Sequence, residues 1–218
     1  MPMLEQPNSK AKWKQVTLGE VAINSTVSTQ NPEEEGFDRY IIGKHIPGGG
    51  SKITTWNEVG DGEFGSRIRT VIKRDDVVCT TRGPNLRVAV ATFDCLSAHT
   101  NFVLRTKDAS IMMQELLQAV ACSDEFQEHL RLNFRGSTNL FVNWSDAAKF
   151  KFLLPPIQEQ ARLVEILAAY RRTDEAFVST ANQLAKVRAS LVSHIISQNR
   201  ADTQRVKVAD LLIDGPTN

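Results

Sequence analysis

The sequence lacks the common signatures of catalysis and nucleotide binding. A phosphate-cradling loop needs a glycine, then a spaced Gly-Lys-Ser/Thr, so that backbone amides and the lysine surround the phosphates. The nearest text, Gly43-Lys44-His45, has no hydroxyl residue after the lysine and no glycine at the required offset. No Glu-x-Lys or Asp-x-Lys triplet, the usual companion of a metal-dependent nuclease centre, occurs anywhere. An amino-methyltransferase carries Asn or Asp ahead of Pro-Pro-aromatic, whereas here Pro155-Pro156 follows Leu154 and precedes Ile157. His45, His99, His129 and His194 make no zinc-type H-x-x-x-H pair, and there is no G-x-S-x-G elbow. Asp75-Asp76 is an adjacent carboxylate pair, read as a solvated turn between two strands.

Cysteine is scarce. Cys79, Cys95 and Cys122 are odd in number and none sit at C-x-x-C spacing, which argues against a disulfide framework or a zinc knuckle and for reduced thiols in a cytoplasm. Cys79, in the run Val77-Val78-Cys79, reads as a small buried hydrophobe. The first residues have no apolar core of a signal peptide, and no apolar run is long enough for a membrane span, so a cytoplasmic protein without membrane partners is expected.

Charge is unevenly spread. The net charge is only +1, yet Asn31–Glu63 holds seven acidic against three basic residues, and Arg67–Lys107 eight basic against three acidic. A local basic surface is therefore compatible with a nearly neutral chain.

The order of elements predicts an α+β fold: a mixed, β-rich globular domain followed by a long C-terminal coiled-coil helix. Residues 1–12 are polar and expected to be flexible. Strand-like runs begin at Trp13–Leu18 and Val21–Ile23, and continue at Tyr40–Ile42, Val71-Ile72, Val77–Thr81, Arg87–Phe93 and Asn101–Arg105, with Pro47–Ser51 as a loop. Helical spacing takes over at Ile111–Val120, and Ser123 is placed to cap a second helix running to about Phe134. The globular domain is set at 13–154, the long helix at 155–198 and a tail at 199–218.

Pro155-Pro156 opens the long helix, where a missing N–H is harmless, and Ile157–Gln198 contains neither glycine nor proline. Leu163, Tyr170, Phe177, Leu184 and Leu191 recur every seven residues, with Ile166, Leu167, Ala181, Val187 and Ile195 widening the stripe. That period marks a seam against a partner helix, broader than a leucine zipper. Leu163, Leu167, Tyr170, Phe177, Leu184, Leu191 and Ile195 are the expected contacts, with Asp174, Arg188 and His194 close to them. The tail Arg205–Leu212 echoes the pattern of Lys14–Val21, a short match that chance also produces.

The remaining polar text is donor-rich and poor in carboxylates. Candidate nucleic-acid contacts are Lys44, His45, Ser51, Lys52, Arg67, Arg69, Thr81, Arg82, Asn85, Arg87, His99, Asn101, Arg135, Ser137, Thr138 and Asn139. Arg and Lys suit phosphates and guanine edges, Asn suits adenine, and Gly/Ser loops allow close backbone approach.

Several of these pieces stand in a familiar order: Trp13-x-x-Val16-x-Leu18-Gly19-Glu20-Val21, Tyr40–Ile46, Asp76–Gly83, Phe126 to Arg135-Gly136-Ser137-Thr138, and Leu153-Leu154-Pro155-Pro156-Ile157-Gln158-Glu159-Gln160. Over residues 13 to 198 the sequence resembles one half of the specificity subunit of type I restriction–modification enzymes. The resemblance implies a target recognition domain with one helical spacer, binding double-stranded DNA without catalysis or cofactor. Partner modification subunits would carry methyl transfer, and motor/nuclease subunits ATP hydrolysis and cleavage. The family's full subunits carry two such units. A homodimer through 157–198, pairing with a different half and a fragment of a longer subunit all remain open. So do a non-DNA helical adaptor and a small standalone DNA-modifying enzyme.

Overall fold

The computed structural model describes residues 12–60, 65 and 67–213, with side chains as far as Leu191 apart from residues 171, 174, 175, 178, 181 and 182. The expected flexible segment lies, but for Lys12, outside the described residues. The chain divides into two units, Met1–Glu165 and Ile166–Asn218. The elements are β1 (Lys14–Thr17), α1 (Leu18–Val21), β2 (Ala22–Asn24), β3 (Arg39–Ile41), β4 (Ser51–Ile53), β5 (Asn57–Glu58), β6 (Ile68–Ile72), β7 (Val77–Thr80), β8 (Val88–Ala91), β9 (Cys95–Ala98), β10 (Asn101–Thr106), α2 (Gln114–Cys122), α3 (Asp124–Leu132), α4 (Trp144–Ala147), β11 (Lys151–Leu154) and α5 (Ile157–Ile213). This is a mixed α+β architecture with a β-rich first unit.

Three sheets organise that unit: a five-stranded sheet in the order β2-β10-β7-β8-β4, a four-stranded sheet β5-β3-β9-β6, and the pair β1-β11. Most pairings are antiparallel, but β3–β9 and β4–β8 are parallel. The five-stranded sheet is buried on both faces, and side-chain alternation shows how. Val77, Cys79, Val88, Phe102 and Leu104 share one core with Leu117 of α2, Phe126 and Leu130 of α3, and Phe150. Their neighbours Val78, Ala89, Ala91 and Val103 point into a second core with Ile41, Ile72 and Cys95 of the four-stranded sheet. A strand with no solvated face has no use for alternating polarity, which is why Val77-Val78-Cys79 reads as an uninterrupted apolar run. Both buried thiols are inert: burial pushes Cys79 and Cys95 up to about 12.

The ends of the unit are tied together. β1 pairs antiparallel with β11, Lys14 opposite Leu154 and Thr17 opposite Lys151. Gly19 donates its N–H to Ala148 O at 2.9 Å, and a Cβ at Gly19 would lie 2.9 Å from Ala148 Cβ, so only glycine permits this approach. Trp13 Nε1 donates to Glu159 Oε2 at 2.7 Å. Gln160, fully buried, accepts from the Met113 N–H at 2.9 Å and donates to the carbonyls of Ile111 and Pro155 at 2.8 and 2.9 Å. Met113 is the N-cap residue of α2 and has no side-chain oxygen to cap with. The glutamine of α5 thus satisfies backbone groups at the start of another helix.

Some expectations change. Asp75-Asp76 is not a solvated pair: Asp75 is exposed with φ 69°, while Asp76 is 3% exposed. Asp76 accepts from Arg105 Nε and Nη2 at 2.5 and 2.7 Å and from the Lys73 N–H at 2.6 Å. The turn it occupies connects strands of different sheets, so the neighbouring strands β6 and β7 do not pair with each other. Ser51, expected in a loop, begins β4, because parallel pairing with β8 supplies its partner. Helix α5 runs on to Ile213, so Arg205–Leu212 is continuous helix and does not repeat the strand followed by a short helix of Lys14–Val21. Among the described residues no helix is long and apolar enough to cross a membrane.

Asp76→Asn keeps the size of the side chain but leaves Arg105 without its counter-charge. Breaking one partner of a fully buried pair costs ~3–5 kcal/mol; the partial exposure of Arg105 reduces this to about 2–3 kcal/mol. Urea unfolding of the variant should show a midpoint lowered accordingly with an unchanged slope.

Candidate nucleic-acid interface

Strand direction decides where the donor-rich loops go. β7 is antiparallel to both β8 and β10, and β10 to β2, while β4 is parallel to β8. The C-terminal ends of β2 and β7 therefore lie at the same end of the five-stranded sheet as the N-terminal ends of β4, β8 and β10. In the four-stranded sheet β6 is antiparallel to β9, with Ile68 opposite Ala98. Since β9 leads through His99-Thr100 into β10, Arg67 at the head of β6 falls at this same end.

Local contacts bind these loops into one surface. Thr81 Oγ1 donates to Thr100 O at 2.6 Å, joining the β7–β8 connection to the β9–β10 turn. Val142 N–H donates to Thr81 O, and Gly83 N–H to Leu140 O, at 3.1 and 3.0 Å. The segment 135–141 folds back on itself, Arg135 and Phe141 exchanging both backbone hydrogen bonds at 2.8 and 3.0 Å. Its tip, Ser137-Thr138-Asn139, is exposed. Arg87 donates its N–H to Thr80 Oγ1 at 2.8 Å. Its side chain lies against the loop after β3: a Cβ on Gly43 would stand 3.3 Å from Arg87 Nη2, and one on Gly48 3.3 Å from Cγ.

The sixteen candidate residues are therefore drawn to one end of the sheets, in different settings. Lys44, Ser51, Lys52, Arg67, Arg82, Asn85 and His99 are exposed, and Arg69, Arg87 and Asn101 are half-buried. His45 and Thr81 are buried and serve the scaffold. His45 Nδ1 accepts from the Ile42 N–H at 3.1 Å, and burial, then the Lys44 charge, lowers its pKa. Arg135 is half spent on Asp146, which accepts from its Nη2 at 2.7 Å and from Lys149 Nζ at 3.2 Å. These hydrogen bonds, Lys149 first and then Arg135, hold the Asp146 carboxyl below its ordinary pKa.

The structure also divides the basic stretch 67–107. Lys73 and Arg74 engage Asp94 at 2.8 and 2.9 Å through Nζ and the backbone N–H, and Arg105 engages Asp76. These pairs sit at the other end of the sheets, before β7 and between β8 and β9. Arg67, Arg69, Arg82 and Arg87 remain with the donor loops. The residues that sequence reasoning missed are supports: Thr80, Asp146, and Asn24, whose Oδ1 accepts from the Val103 N–H at 2.8 Å. Ser145-Asp146-Ala147-Ala148-Lys149 did carry a signal, a carboxylate three residues before a lysine.

Gly136 has φ +87° and a Cβ there would meet Asn139 O at 2.6 Å. Gly136→Ala should cost about 1–3 kcal/mol and displace the tip that carries Ser137, Thr138 and Asn139. Thermal unfolding should show the loss, and amide spectra should show shifts confined to the 135–141 turn and its contacts at 81–83.

The family model described as Type I restriction modification DNA specificity domain matches residues 10–185. The fold is similar to that of the HsdS subunit from Thermoanaerobacter tengcongensis, at TM-score 0.61 and 24% identity over 80% of this chain and 45% of that one. A chain from a structure of the assembly and conformational transition of the type I R-M system gives TM-score 0.61 and 23% identity over 99% and 51%. The type I restriction-modification S subunit from M. genitalium gives TM-score 0.51 and 13% identity over 81% and 43%. At such identities the likeness is one of fold, and this chain spans about half the length of each of these structures. No curated protein matches it. With the family model covering most of its length, the chain belongs to the family of type I restriction modification DNA specificity domains.

Proposed function

We propose that this chain is a DNA sequence-specificity subunit of a type I restriction–modification system, reading one half of a bipartite double-stranded site and doing no chemistry itself. The observation that carries the reading is the convergence of the Gly-, Asn- and Arg-rich loops at one end of two sheets, while the Lys73–Asp94 and Arg105–Asp76 pairs lie at the other. Arg82, Asn85 and Asn139 are the side chains suited to base edges, and Lys44, Lys52 and Arg67 to phosphates. Methyl transfer belongs to partner modification subunits and DNA motion and cleavage to a motor/nuclease subunit, in the cytoplasm; the chain needs no cofactor of its own.

The second half of the site falls to a second copy. Along α5, Tyr170, Phe177, Leu184 and Leu191 are 68%, 74%, 65% and 58% exposed, a solvent-facing apolar row with the period of a helix–helix seam. Leu163 and Leu167 are half-buried, while Asp174, Ala181, His194 and Ile195 lie outside the described side chains. Pairing of two copies through 157–198 would tie half-site spacing to the length of a helix.

Duplex binding by the chain assembled with its modification subunit should weaken steeply with salt, log K falling by about 0.9 per phosphate contact for each tenfold rise in salt. Binding indifferent to salt would overturn the DNA reading in favour of an adaptor. Separately, Phe177→Asp with Leu184→Asp should halve the mass measured by light scattering. An unchanged mass would remove α5 as the seam.

A further inference from the structure

Where the chain crosses between the two large sheets there is a concavity of about 300 Å³, lined by Asn24, Ser25, Arg67, Arg69, His99, Asn101 and three further hydroxyl residues. Its walls are fixed by backbone bonds. Ser25 N–H donates to Val103 O of the five-stranded sheet at 2.7 Å; Val71 N–H donates to Val27 O, and Thr29 N–H to Arg69 O, at 2.8 and 3.0 Å on the four-stranded sheet. The β9–β10 turn returns across the same seam and supplies His99 and Asn101.

The chemistry of this lining is one-sided. Among the described residues it contains two guanidiniums, an imidazole, two amides and four hydroxyls, and no carboxylate. The adjoining concavity, which shares Arg69, is the reverse, with Glu33 and Glu34 in its wall. The Asn24 carbonyl oxygen is taken by the Val103 N–H, which leaves its amide N–H groups as donors. Arg69 Nη1 donates to Gln30 O at 2.9 Å, an anchor that fixes the guanidinium in the wall. Ser25 is 5% exposed, and its Oγ is the buried side-chain polar atom with no hydrogen-bond partner among the described residues. Buried hydroxyls are normally satisfied, so an orphan on the wall of a donor-lined concavity points to a missing acceptor.

We propose that this concavity is an oxyanion site that seats one phosphodiester of the DNA backbone, with Arg67 as the principal charge and His99, Asn101 and Ser25 as positioning donors. The phosphodiester assignment rests on the DNA reading above; the oxyanion assignment does not. A phosphate held here fixes the register of the domain on the duplex, while the loop tips at 82–85 and 137–139 remain free to address bases.

Two measurements separate the two levels. In the full chain alone, inorganic phosphate, titrated against chloride at matched ionic strength and pH, should shift the His99 ring protons and the Asn101 side-chain amide saturably. Arg67→Gln should abolish the shifts. In the complex with the modification subunit, Arg67→Gln should reduce the slope of log K against log salt by about one, equally for target and random duplexes. Arg67→Lys should retain the slope, which distinguishes loss of charge from misfolding. Ser25→Ala should weaken DNA binding several-fold without changing the slope. Absence of phosphate shifts in the wild-type chain overturns the oxyanion site. Phosphate shifts with an unaltered salt slope in Arg67→Gln overturn the phosphodiester assignment and make a free phosphate the occupant. Phosphate shifts in a chain whose wild-type complex binds no duplex leave the oxyanion site standing and sink the DNA reading instead.

Discussion

The buried side chain of Gln160 is the constraint on which the arrangement of the first unit depends. A primary amide with no water contact must find partners for its oxygen and its nitrogen. Gln160 finds them in the Met113 N–H and in the carbonyls of Ile111 and Pro155. These groups lie at the entrance to α2 and at the step into α5, so one side chain locks both helix starts to each other. The neighbouring Glu159 reaches Trp13, and β1 pairs with β11, so the first and last parts of the unit share one anchor. Loss of any of these would release the start of α5 from the domain it carries.

This anchoring explains a division of labour between the two ends of the sheets. Of the residues that carry the family resemblance, Trp13, Leu18, Gly19, Leu154, Pro155, Glu159 and Gln160 are packing and hydrogen-bonding parts of the scaffold, while Lys44, Arg82, Ser137 and Thr138 belong to the donor-rich loops. The donor-rich loops at 43–52, 81–87, 99–101 and 135–139 are held by backbone bonds that make little demand on their own side chains. Thr81, Arg87, His45 and Arg135 are exceptions, because their side chains hold neighbouring segments, and Gly136 is another, because its own turn closes against it. A scaffold of this kind tolerates change at loop tips while keeping their positions, which is the property that a sequence-reading domain requires.

Much of the fold was legible in the sequence because local physics decides it. Most β-branched runs became strands within a residue or two, though β6 begins three residues before Val71-Ile72; Ser123 capped α3 as its position implied, accepting the Phe126 N–H at 3.2 Å, and the Gly- and Pro-free text after Pro156 became one helix. Illegible were the short strands β4, β5, β9 and β11, which pair only because β8, β3, β6 and β1 present open edges. Equally hidden was the fate of Asp76. An Asp-Asp dipeptide in a turn reads as solvated, and only the approach of Arg105 from another strand makes burial of the carboxylate tolerable.

The sequence by itself determined the class of the molecule: which stretches are strand or helix, that the loops are rich in donors, and that a helix with an apolar row of seven-residue period follows them. Those properties follow from near-neighbour sterics and periodicity, which any stretch of chain carries with it. The tertiary structure alone decided which loops meet and which charges remain available to a partner. Arg67 and Arg105 are both basic residues of one stretch, yet strand direction sends the first to the donor-lined end and the second to a buried carboxylate. That sorting depends on the pairing of strands distant in sequence, and no local rule specifies it.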